Sequence, residues 1–315
     1  MSHRTRLRIG TRGSSLARWQ AGWVASQLRE TAGVDVELVE IRTIGDRTQS
    51  RGAAIGSIAV QGAFTKEIQR ALLDGRVDLA VHSLKDLPTD LVEGLCLAAI
   101  PRRAAASDVF VSRAAASISD LAQSASVGTG SLRRRTQLWH VRPDLRMSEA
   151  RGNVETRLRR LAEGKFDALI LAEAGLRRLG LDKQISEVLP HSLMLPAVGQ
   201  GALGIEARSD DDATRRMLAP LDDPPTRAAV TAEREMLATL RGGCLAPVAG
   251  YGRIDARQQL LVQGIVLSLD GKTRLEASAS GSVDQAASLG RQAASALLDQ
   301  GAGDLIRDAR EMKPD

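Results

Sequence analysis

The hydrophobic pattern of the first 200 residues alternates between strand and helix signals. Leu7 and Ile9 alternate with arginines, which predicts a short strand, and Trp19 and Trp23 share one face of a helix that begins near Ser15. The same alternation predicts strands at residues 34–38, 77–81, 126–129 and 168–172, another strand from Asp108, and helices over residues 65–75, from Ser131 and over residues 153–161. Strands that alternate with helices predict parallel sheets covered by helices on both faces.

Two boundaries in this pattern carry further expectations. Thr65 is expected to cap the helix that follows it, and Gly75 to close that helix. The Pro- and Asp-rich residues 220–225 predict a linker, because proline and aspartate interrupt regular elements.

The pattern changes after the predicted linker. A helix is expected over residues 226–239, strands over residues 248–254 and 260–267, and a last helix over about residues 283–300. Because two strands here follow one another between two helices, this end of the chain is predicted to form a small α+β domain.

Composition narrows the class of protein. A chain of 315 residues suits two or three domains. The aromatic content of 2% argues against a platform for single-stranded nucleic acid, and no stretch approaches the ~20 apolar residues of a membrane span. Two cysteines and a basic start without an apolar signal core indicate a cytoplasmic protein, and the four histidines show no metal-ligand spacing.

The first candidate site follows the strand predicted at residues 77–81. Ser83, Lys85 and Asp86 place a hydroxyl, a cation and a carboxylate directly after this strand. A carboxylate at a strand end can carry a proton or stabilise a developing positive charge. The alternative is a turn in which Asp86 caps backbone amides before Pro88.

The second candidate site is an anion site at a helix start. Gly128-Thr129-Gly130-Ser131 joins a strand to a helix that begins with several arginines, and the free amides and dipole of a helix start attract anions. Equivalent positions at other strand ends hold further cations: Arg12, Arg151 and Arg157. Arginines at successive strand ends predict a ligand with many carboxylates or phosphates. High-GC codon bias, with arginines on solvated faces, is the alternative explanation for most of them.

The third candidate is the cysteine in Arg241-Gly242-Gly243-Cys244. Two glycines permit a tight loop, and the nearby arginine favours the thiolate. An inert buried thiol and a covalent attachment point both remain open on this evidence. Cys96, inside an apolar run, is expected to be inert.

Taken together, the motifs resemble those of hydroxymethylbilane synthases, also called porphobilinogen deaminases. The resemblance covers nearly the whole chain, in the family's order. Its segments are Gly10-Thr11-Arg12, Phe64-Thr65-Lys66-Glu67, residues 81–88, residues 128–134, Arg151-Gly152-Asn153-Val154, residues 195–202 and Gly242-Gly243-Cys244.

The resemblance implies an α/β fold with two doubly wound domains of the periplasmic-binding-protein type around a cleft, plus a small α+β C-terminal domain. It implies domain 1 at residues 1–101 and 198–222, domain 2 at 102–197 and domain 3 at 223–315. The implied enzyme is a transferase that condenses four porphobilinogen molecules head to tail, releases ammonia and forms the linear tetrapyrrole hydroxymethylbilane. A monomer with no nucleic-acid partner, membrane or metal is expected.

The resemblance also assigns residues. Asp86 matches the catalytic aspartate, and Cys244 matches the cysteine that carries a dipyrromethane cofactor through a thioether. The cofactor-binding positions implied are Ser83, Lys85, Thr129, Ser131, Arg133, Arg134 and Arg151. The substrate-binding positions implied are Arg12, Ser14, Arg157 and Arg178.

Some residues depart from the family pattern. Gln61 and Ser57 stand where many relatives have lysine, which puts the contacts of a loop to the growing chain in doubt. Ser15 and Arg135 replace a common proline and a common glutamine.

Two other classes remain as alternatives. A non-enzymatic, anion-binding solute receptor with two domains predicts no covalent adduct and no role for Cys244. A basic nucleic-acid-binding protein predicts a continuous charged face and an affinity that depends strongly on salt.

Overall fold

The computed structural model describes residues 6–41, 65–242 and 246–311. These residues form two compact units. The first comprises the described residues up to Arg103 together with Ala202–Arg227, and the second comprises Ala104–Gly201 and the described residues from Ala228 onward.

The described strands are β1 (Arg6–Thr11), β2 (Asp35–Glu40), β3 (Leu79–Ser83), β4 (Leu95–Ala99), β5 (Asp108–Ser112), β6 (Ser126–Gly128), β7 (Arg146–Ser148), β8 (Ala168–Ala172), β9 (Glu187–Val188), β10 (Leu203–Arg208), β11 (Val248–Ile254), β12 (Leu260–Leu267) and β13 (Arg274–Gly281). The described α-helices are α1 (Ser15–Ala32), α2 (Lys66–Leu73), α3 (Leu132–Val141), α4 (Val154–Ala162), α5 (Glu173–Arg178), α6 (Asp212–Leu218), α7 (Pro224–Thr239), α8 (Ala286–Asp299) and α9 (Ala302–Glu311).

The first unit is built on a five-stranded sheet in the order β2-β1-β3-β10-β4. Ile9 of β1 packs with Val24 and Leu28 of α1 on one face. Ala80 of β3 packs with Ile68 of α2 on the other face. Because successive strand residues point to opposite faces, the apolar strands of this sheet bury both of their sides.

The second unit contains a five-stranded sheet in the order β7-β6-β8-β5-β9. Phe110 and Ile170 pack with Leu138 of α3 on one face. Leu169 packs with Leu161 of α4 on the other face. This sheet is therefore covered on both sides as well, and β6 leads directly into the glycine turn that precedes α3.

The same unit also contains the antiparallel sheet β11-β12-β13. Met236 of α7 is buried against this sheet, where Gly250 and Gly264 pair across β11 and β12. A Cβ atom at either glycine would overlap the Met236 side chain, so the two glycines make room for it. The predicted α+β character of this region is confirmed, although β13 and α9 were not predicted.

The expectation of parallel sheets is met only in part, because both five-stranded sheets are mixed. Strands β1, β2 and β3 are parallel, but β10 runs antiparallel to β3 and β4. Strands β6, β7 and β8 are parallel, but β5 runs antiparallel to β8 and β9. Strand β10 follows residues 104–201, which belong to the second unit. It is therefore not joined to a neighbouring strand by a helical crossover, which would make the two strands parallel.

Two local expectations also need correction. Thr65 precedes α2 in a helical backbone conformation, and its side chain makes no capping hydrogen bond. A capping side chain needs an extended backbone at its own position to reach the first amides.

The predicted linker at residues 220–225 is a short 3₁₀ turn followed by the start of α7. Arg227 and Asp222 form an ion pair there, with 2.7 Å between Nη2 and Oδ1.

The division into three domains stays a prediction. The boundary after residue 101 and the return of the chain near residue 198 lie close to the limits of the first unit, Arg103 and Ala202. The second unit joins the residues predicted for domains 2 and 3.

Asp223→Ala is expected to lower the free energy of unfolding by about 1–2 kcal/mol. The Asp223 carboxylate accepts hydrogen bonds from the backbone N–H and hydroxyl of Thr226, at 3.0 and 2.6 Å, and so caps α7. Denaturant titration of the two proteins measures the difference. Asp210→Ala, at an exposed position, is the control and is expected to change stability by less than about 0.5 kcal/mol. Equal losses in both variants would contradict the capping role.

Candidate active-site residues

The segment that carries Asp86 is held from the inside by two leucines. Leu84 and Leu87 are buried, and a 3₁₀ turn over Leu84–Asp86 closes with a 3.1 Å hydrogen bond from the Leu87 N–H to the Leu84 carbonyl. The Leu84 N–H donates to the carbonyl of Ala202 at 3.0 Å. The anchored leucines leave Asp86 exposed, on a turn that the sheet fixes in place.

A buried glutamine supports this segment. Gln20 of α1 is 2% exposed, and its Nε2 donates a 2.9 Å hydrogen bond to Oγ of Ser83. Gln20 was not among the predicted site residues. The available signal was a polar side chain on the otherwise apolar face of α1 that holds Ala21 and Val24.

Arg12 and Ser14 follow the end of β1, and both are half-buried. The Ser14 hydroxyl accepts a 3.3 Å hydrogen bond from the Ala17 N–H and so caps α1. This hydroxyl therefore has a structural role in addition to the substrate role predicted for it, which stays a prediction together with that of Arg12.

The predicted anion site in the second unit is a tight turn between β6 and α3. Thr129 is buried, and its backbone N–H donates to the carbonyl of Ser148 at 2.9 Å. The Ser131 N–H donates to Oγ1 of Thr129 at 3.2 Å, and no capping hydrogen bond from the Ser131 side chain is present. The turn thus fixes Thr129 and Ser131 at the positive end of α3.

Arg133 and Arg134 meet at one buried carboxylate, that of Asp108. Arg134 donates to Oδ1 of Asp108 from Nε at 3.0 Å and from Nη2 at 2.7 Å. Nη2 of Arg133 lies 2.8 Å from Oδ2 of the same side chain. Burial lowers the pKa of Arg133, and the charge of Arg134 acts in the same direction against the attraction of Asp108. Asp108 was predicted only as a strand start.

Two buried glutamines complete this cluster. Gln200 donates to Oδ1 of Asp108 at 3.0 Å and to the carbonyl of Ala106 at 2.6 Å. Gln137 exchanges two hydrogen bonds with the backbone of Leu195, at 2.8 and 3.0 Å. Gln137 thereby connects Leu195 to α3, the helix that carries the arginines. Gln200 connects the same segment to Asp108 at the start of β5. Neither glutamine was predicted as a site residue.

The remaining predicted arginines of this unit differ in their surroundings. Arg151 is exposed and forms a 2.7 Å ion pair with Glu149. Nε of Arg157 donates to the carbonyl of Gly152 at 2.8 Å. Arg178 donates to the carbonyl of Gly201 at 2.8 Å, and burial lowers the pKa of Arg178 to about 10. These contacts hold the guanidinium groups in defined positions, while their predicted ligands stay predictions.

Some predicted residues lie outside the described residues. Cys244, Gln61 and Ser57 belong to this group. Cys96 is half-buried on β4, and burial raises the pKa of its thiol, which agrees with the inert role predicted for it.

Over residues 6–41, 65–242 and 246–311, no group of three or more His, Cys, Asp or Glu side chains is suited to bind a metal ion. Over the same ranges, no helix is both long and apolar enough to span a membrane.

Comparison with known families gives two matches in chain order. The family profile described as "Porphobilinogen deaminase, dipyromethane cofactor binding domain" matches residues 7–216, and the profile described as "Porphobilinogen deaminase, C-terminal domain" matches residues 227–299. The chain belongs to the porphobilinogen deaminase family. The resemblance identified from the sequence motifs is thereby confirmed.

Individual relatives agree with this membership. The porphobilinogen deaminase of Brevibacillus brevis is 46% identical over 302 residues, covering 96% of each chain. That of Desulforudis audaxviator is 49% identical over 304 residues, covering 96% of this chain and 97% of the relative. Among solved structures, the methionine-binding protein MetQ matches with 13% identity and a TM-score of 0.44, over 68% of this chain and 89% of its own.

Gly128→Ala is expected to destabilise this protein by about 1–3 kcal/mol. A Cβ atom at Gly128 would lie 2.6 Å from Cδ2 of Leu169 and 2.9 Å from Cγ of Phe166, so β6 or its neighbours must shift just before Thr129. Thermal unfolding monitored by circular dichroism measures the change.

The matched control for this change is Gly22→Ala in α1. A Cβ atom at Gly22 would meet nothing within 4 Å, and alanine in a helix interior is favoured over glycine by about 0.5–1 kcal/mol. The two variants are therefore expected to shift the unfolding midpoint in opposite directions. A shift of the same sign and size in both would contradict the packing argument.

Proposed function

We propose that this chain condenses four porphobilinogen molecules head to tail into the linear tetrapyrrole hydroxymethylbilane. Each addition breaks the C–N bond of one aminomethyl group, releases ammonia, forms one C–C bond between pyrrole units and removes one ring proton. Release of the product consumes one water molecule: the C–C bond between the tetrapyrrole and the cofactor breaks, a proton returns to the cofactor ring, and the freed methylene carbon takes the hydroxyl group. The observation that carries the proposal is the buried pair Arg133 and Arg134, which shares the single carboxylate of Asp108, in a chain of this family.

The donor groups of this cluster fit a dipyrromethane. Two guanidinium groups and one carboxylate leave an excess positive charge in a buried place, which a ligand carboxylate would balance. Guanidinium groups bind carboxylates through two parallel hydrogen bonds, and the amides at the start of α3 add further donors. When bound, the dipyrromethane supplies the pyrrole carbon to which the first substrate unit is joined.

The cofactor is proposed to be bound by three kinds of group on this chain. The thiol of Cys244 forms the thioether that attaches it. Arg133, Arg134 and Arg151 bind its acetate and propionate groups, and Lys85 supplies a further cation. The hydroxyls of Ser83, Thr129 and Ser131 are proposed to donate hydrogen bonds to the same carboxylates. Because every pyrrole ring carries two carboxylates, several cations are needed to hold two rings.

Asp86 is proposed as the catalytic residue. Its carboxylate is exposed on a turn anchored by Leu84 and Leu87, so it can contact substrate while its position stays fixed. There it would accept a hydrogen bond from the pyrrole N–H and stabilise the positive charge that develops on the substrate as ammonia leaves. A fixed carboxylate does this at little cost in reorganisation.

The incoming substrate and the growing product are proposed to be bound by Arg12, Ser14, Arg157 and Arg178. The burial that lowers the pKa of Arg178 makes an anionic partner favourable for it, since a carboxylate restores the stability of the charged form. The chain is further proposed to act in the cytoplasm as a monomer without a nucleic-acid partner. Its low aromatic content argues against a platform for single-stranded nucleic acid, and its two cysteines fit a reducing compartment.

Intact mass spectrometry tests the attachment. The purified chain is expected to exceed its sequence mass by one dipyrromethane, and Cys244→Ser is expected to show the bare mass. Cys96→Ser is the control and is expected to keep the adduct, because Cys96 lies half-buried on β4. An active wild-type protein with the bare sequence mass would exclude a covalent cofactor, and an inactive one would favour a solute receptor.

Asp86→Asn is expected to retain the adduct and to lower turnover by about 100-fold or more, since the amide carries no charge to stabilise the substrate cation. Steady-state release of ammonia measures this. Asp90→Asn, at an exposed position four residues further on, is expected to behave like the wild type. Near-normal turnover in Asp86→Asn would remove Asp86 from the catalytic role.

A further inference from the structure

The buried carboxylate of Asp108 contacts three buried side chains of the second unit: Arg133, Arg134 and Gln200. Its Oδ1 accepts hydrogen bonds from Arg134 and from Gln200, and its Oδ2 lies 2.8 Å from Nη2 of Arg133. The side chain of Asp108 is 0% exposed. It stands at the first position of β5, which pairs with β8 in the middle of the sheet.

Each arginine also donates to a backbone carbonyl. Nη1 of Arg134 donates to the carbonyl of Ile170 at 3.1 Å, and Nη1 of Arg133 donates to the carbonyl of Leu195 at 2.7 Å. With Asp108 on one side and a carbonyl on the other, the plane of each guanidinium group is fixed. Bidentate binding of a carboxylate depends on that plane.

The charges of this cluster do not cancel. The described residues provide Arg133 and Arg134 with one carboxylate, so the buried cluster carries one net positive charge. The two arginine side chains are 5% and 7% exposed, which leaves little solvent to screen that charge. Burial lowers the pKa of Arg133, which is the expected response of a cation in such a place.

We propose that Asp108 is a positioning residue of the cofactor-binding site, which fixes both guanidinium planes and cancels one of their two charges, so that the pair binds one ligand carboxylate. This inference rests on the proposed function, because the ligand carboxylate would come from the dipyrromethane. Asp108 itself does not touch the ligand in this proposal. Gln200 acts one step further away, by holding Oδ1 of Asp108.

The alternative is that Asp108 only stabilises the fold. Removal of one partner from a buried ion pair is strongly destabilising in general, so a loss of function alone would not separate the two roles. To distinguish the two roles, a second variant is needed that is destabilised to a similar extent but leaves the arginine cluster unchanged. A suitable position lies on α3, the helix that carries both arginines. Leu138 of α3 is 0% exposed and packs in the apolar core with Phe110 and Ile170.

The experiment compares Asp108→Asn with Leu138→Ala as full-length chains. For each, the fraction that carries the dipyrromethane is measured by intact mass on monodisperse protein, and the unfolding midpoint by circular dichroism. Asp108→Asn is expected to lower the rate of loading, when cofactor-free protein is incubated with porphobilinogen, by at least about tenfold. Leu138→Ala is expected to lower the unfolding midpoint and to load at the wild-type rate.

Asp167→Asn is a second control, for the change from aspartate to asparagine itself. Asp167 is exposed just before β8 and accepts a 2.7 Å hydrogen bond from the Ser126 N–H in the same sheet. It lies in the same unit as Asp108, and its described side-chain hydrogen bond is with Ser126 and not with either arginine of the cluster. Wild-type loading is expected for this variant.

A further variant covers the case in which Asp108→Asn fails to fold. Gln200→Met keeps the volume of the side chain and every charge, but removes the amide that donates to Asp108. We expect it to load roughly threefold to tenfold more slowly than the wild type, because Asp108 loses one of the groups that orient it.

Several results would overturn the inference. These are wild-type loading in Asp108→Asn, equal slowing in Leu138→Ala at matched stability, or, where Asp108→Asn does not fold, wild-type loading in Gln200→Met. A failure of the proposed function gives a different result, since the wild-type protein itself would then carry no dipyrromethane.

Discussion

The two buried arginines that are proposed to bind the cofactor, Arg133 and Arg134, are both paired with one buried carboxylate. Asp108 holds two guanidinium groups that would otherwise repel each other in a place with little solvent, and Gln200 donates to the same oxygen atom. A buried charge must be paired or hydrogen-bonded, and this requirement ties α3, β5, β8 and the segment that contains Leu195 to one another. The direction of β5 then matters, because its antiparallel pairing with β8 puts Asp108 opposite Ala172, close to the Ile170 carbonyl that Arg134 also contacts.

In the first unit, by contrast, the carboxylate of Asp86 is exposed to solvent but anchored by its neighbours. Leu84 and Leu87 are buried on either side of Lys85 and Asp86, and the Leu84 N–H is bound to Ala202 of the returning chain. Asp86 is therefore exposed on a turn with little freedom to move. The two units thus differ in how they place these charges. Arg133 and Arg134, which are proposed to bind carboxylates, are buried and hydrogen-bonded, whereas Asp86, which is proposed to contact the substrate, faces solvent.

Most regular elements could be predicted from the sequence, because their signals are local. The spacing of Trp19 and Trp23 predicts α1, and the strands over residues 248–254 and 260–267 were predicted with the bounds that the structure has. Strand β13 was missed because two of its three partly buried hydrophobic residues that pack against the core are alanines, Ala277 and Ala279, which give a weak apolar signal. The side chain of Thr65 makes no cap because its backbone adopts a helical conformation that the residue type does not reveal.

By itself, the sequence determined the family, most of the elements and the motifs that contain Asp86, Thr129, Arg133 and Cys244, since each is a run of neighbouring residues. Only the tertiary structure decided that Arg133 and Arg134 share Asp108, that Gln200 holds Asp108, and that Gln20 reaches Ser83. In the sequence, Arg134 is 26 residues from Asp108, Gln200 is 92 residues from Asp108, and Gln20 is 63 residues from Ser83. Periodicity shows which face of an element is buried, but the partner of a buried charge follows from strand order and direction, which depend on the packing of the whole unit.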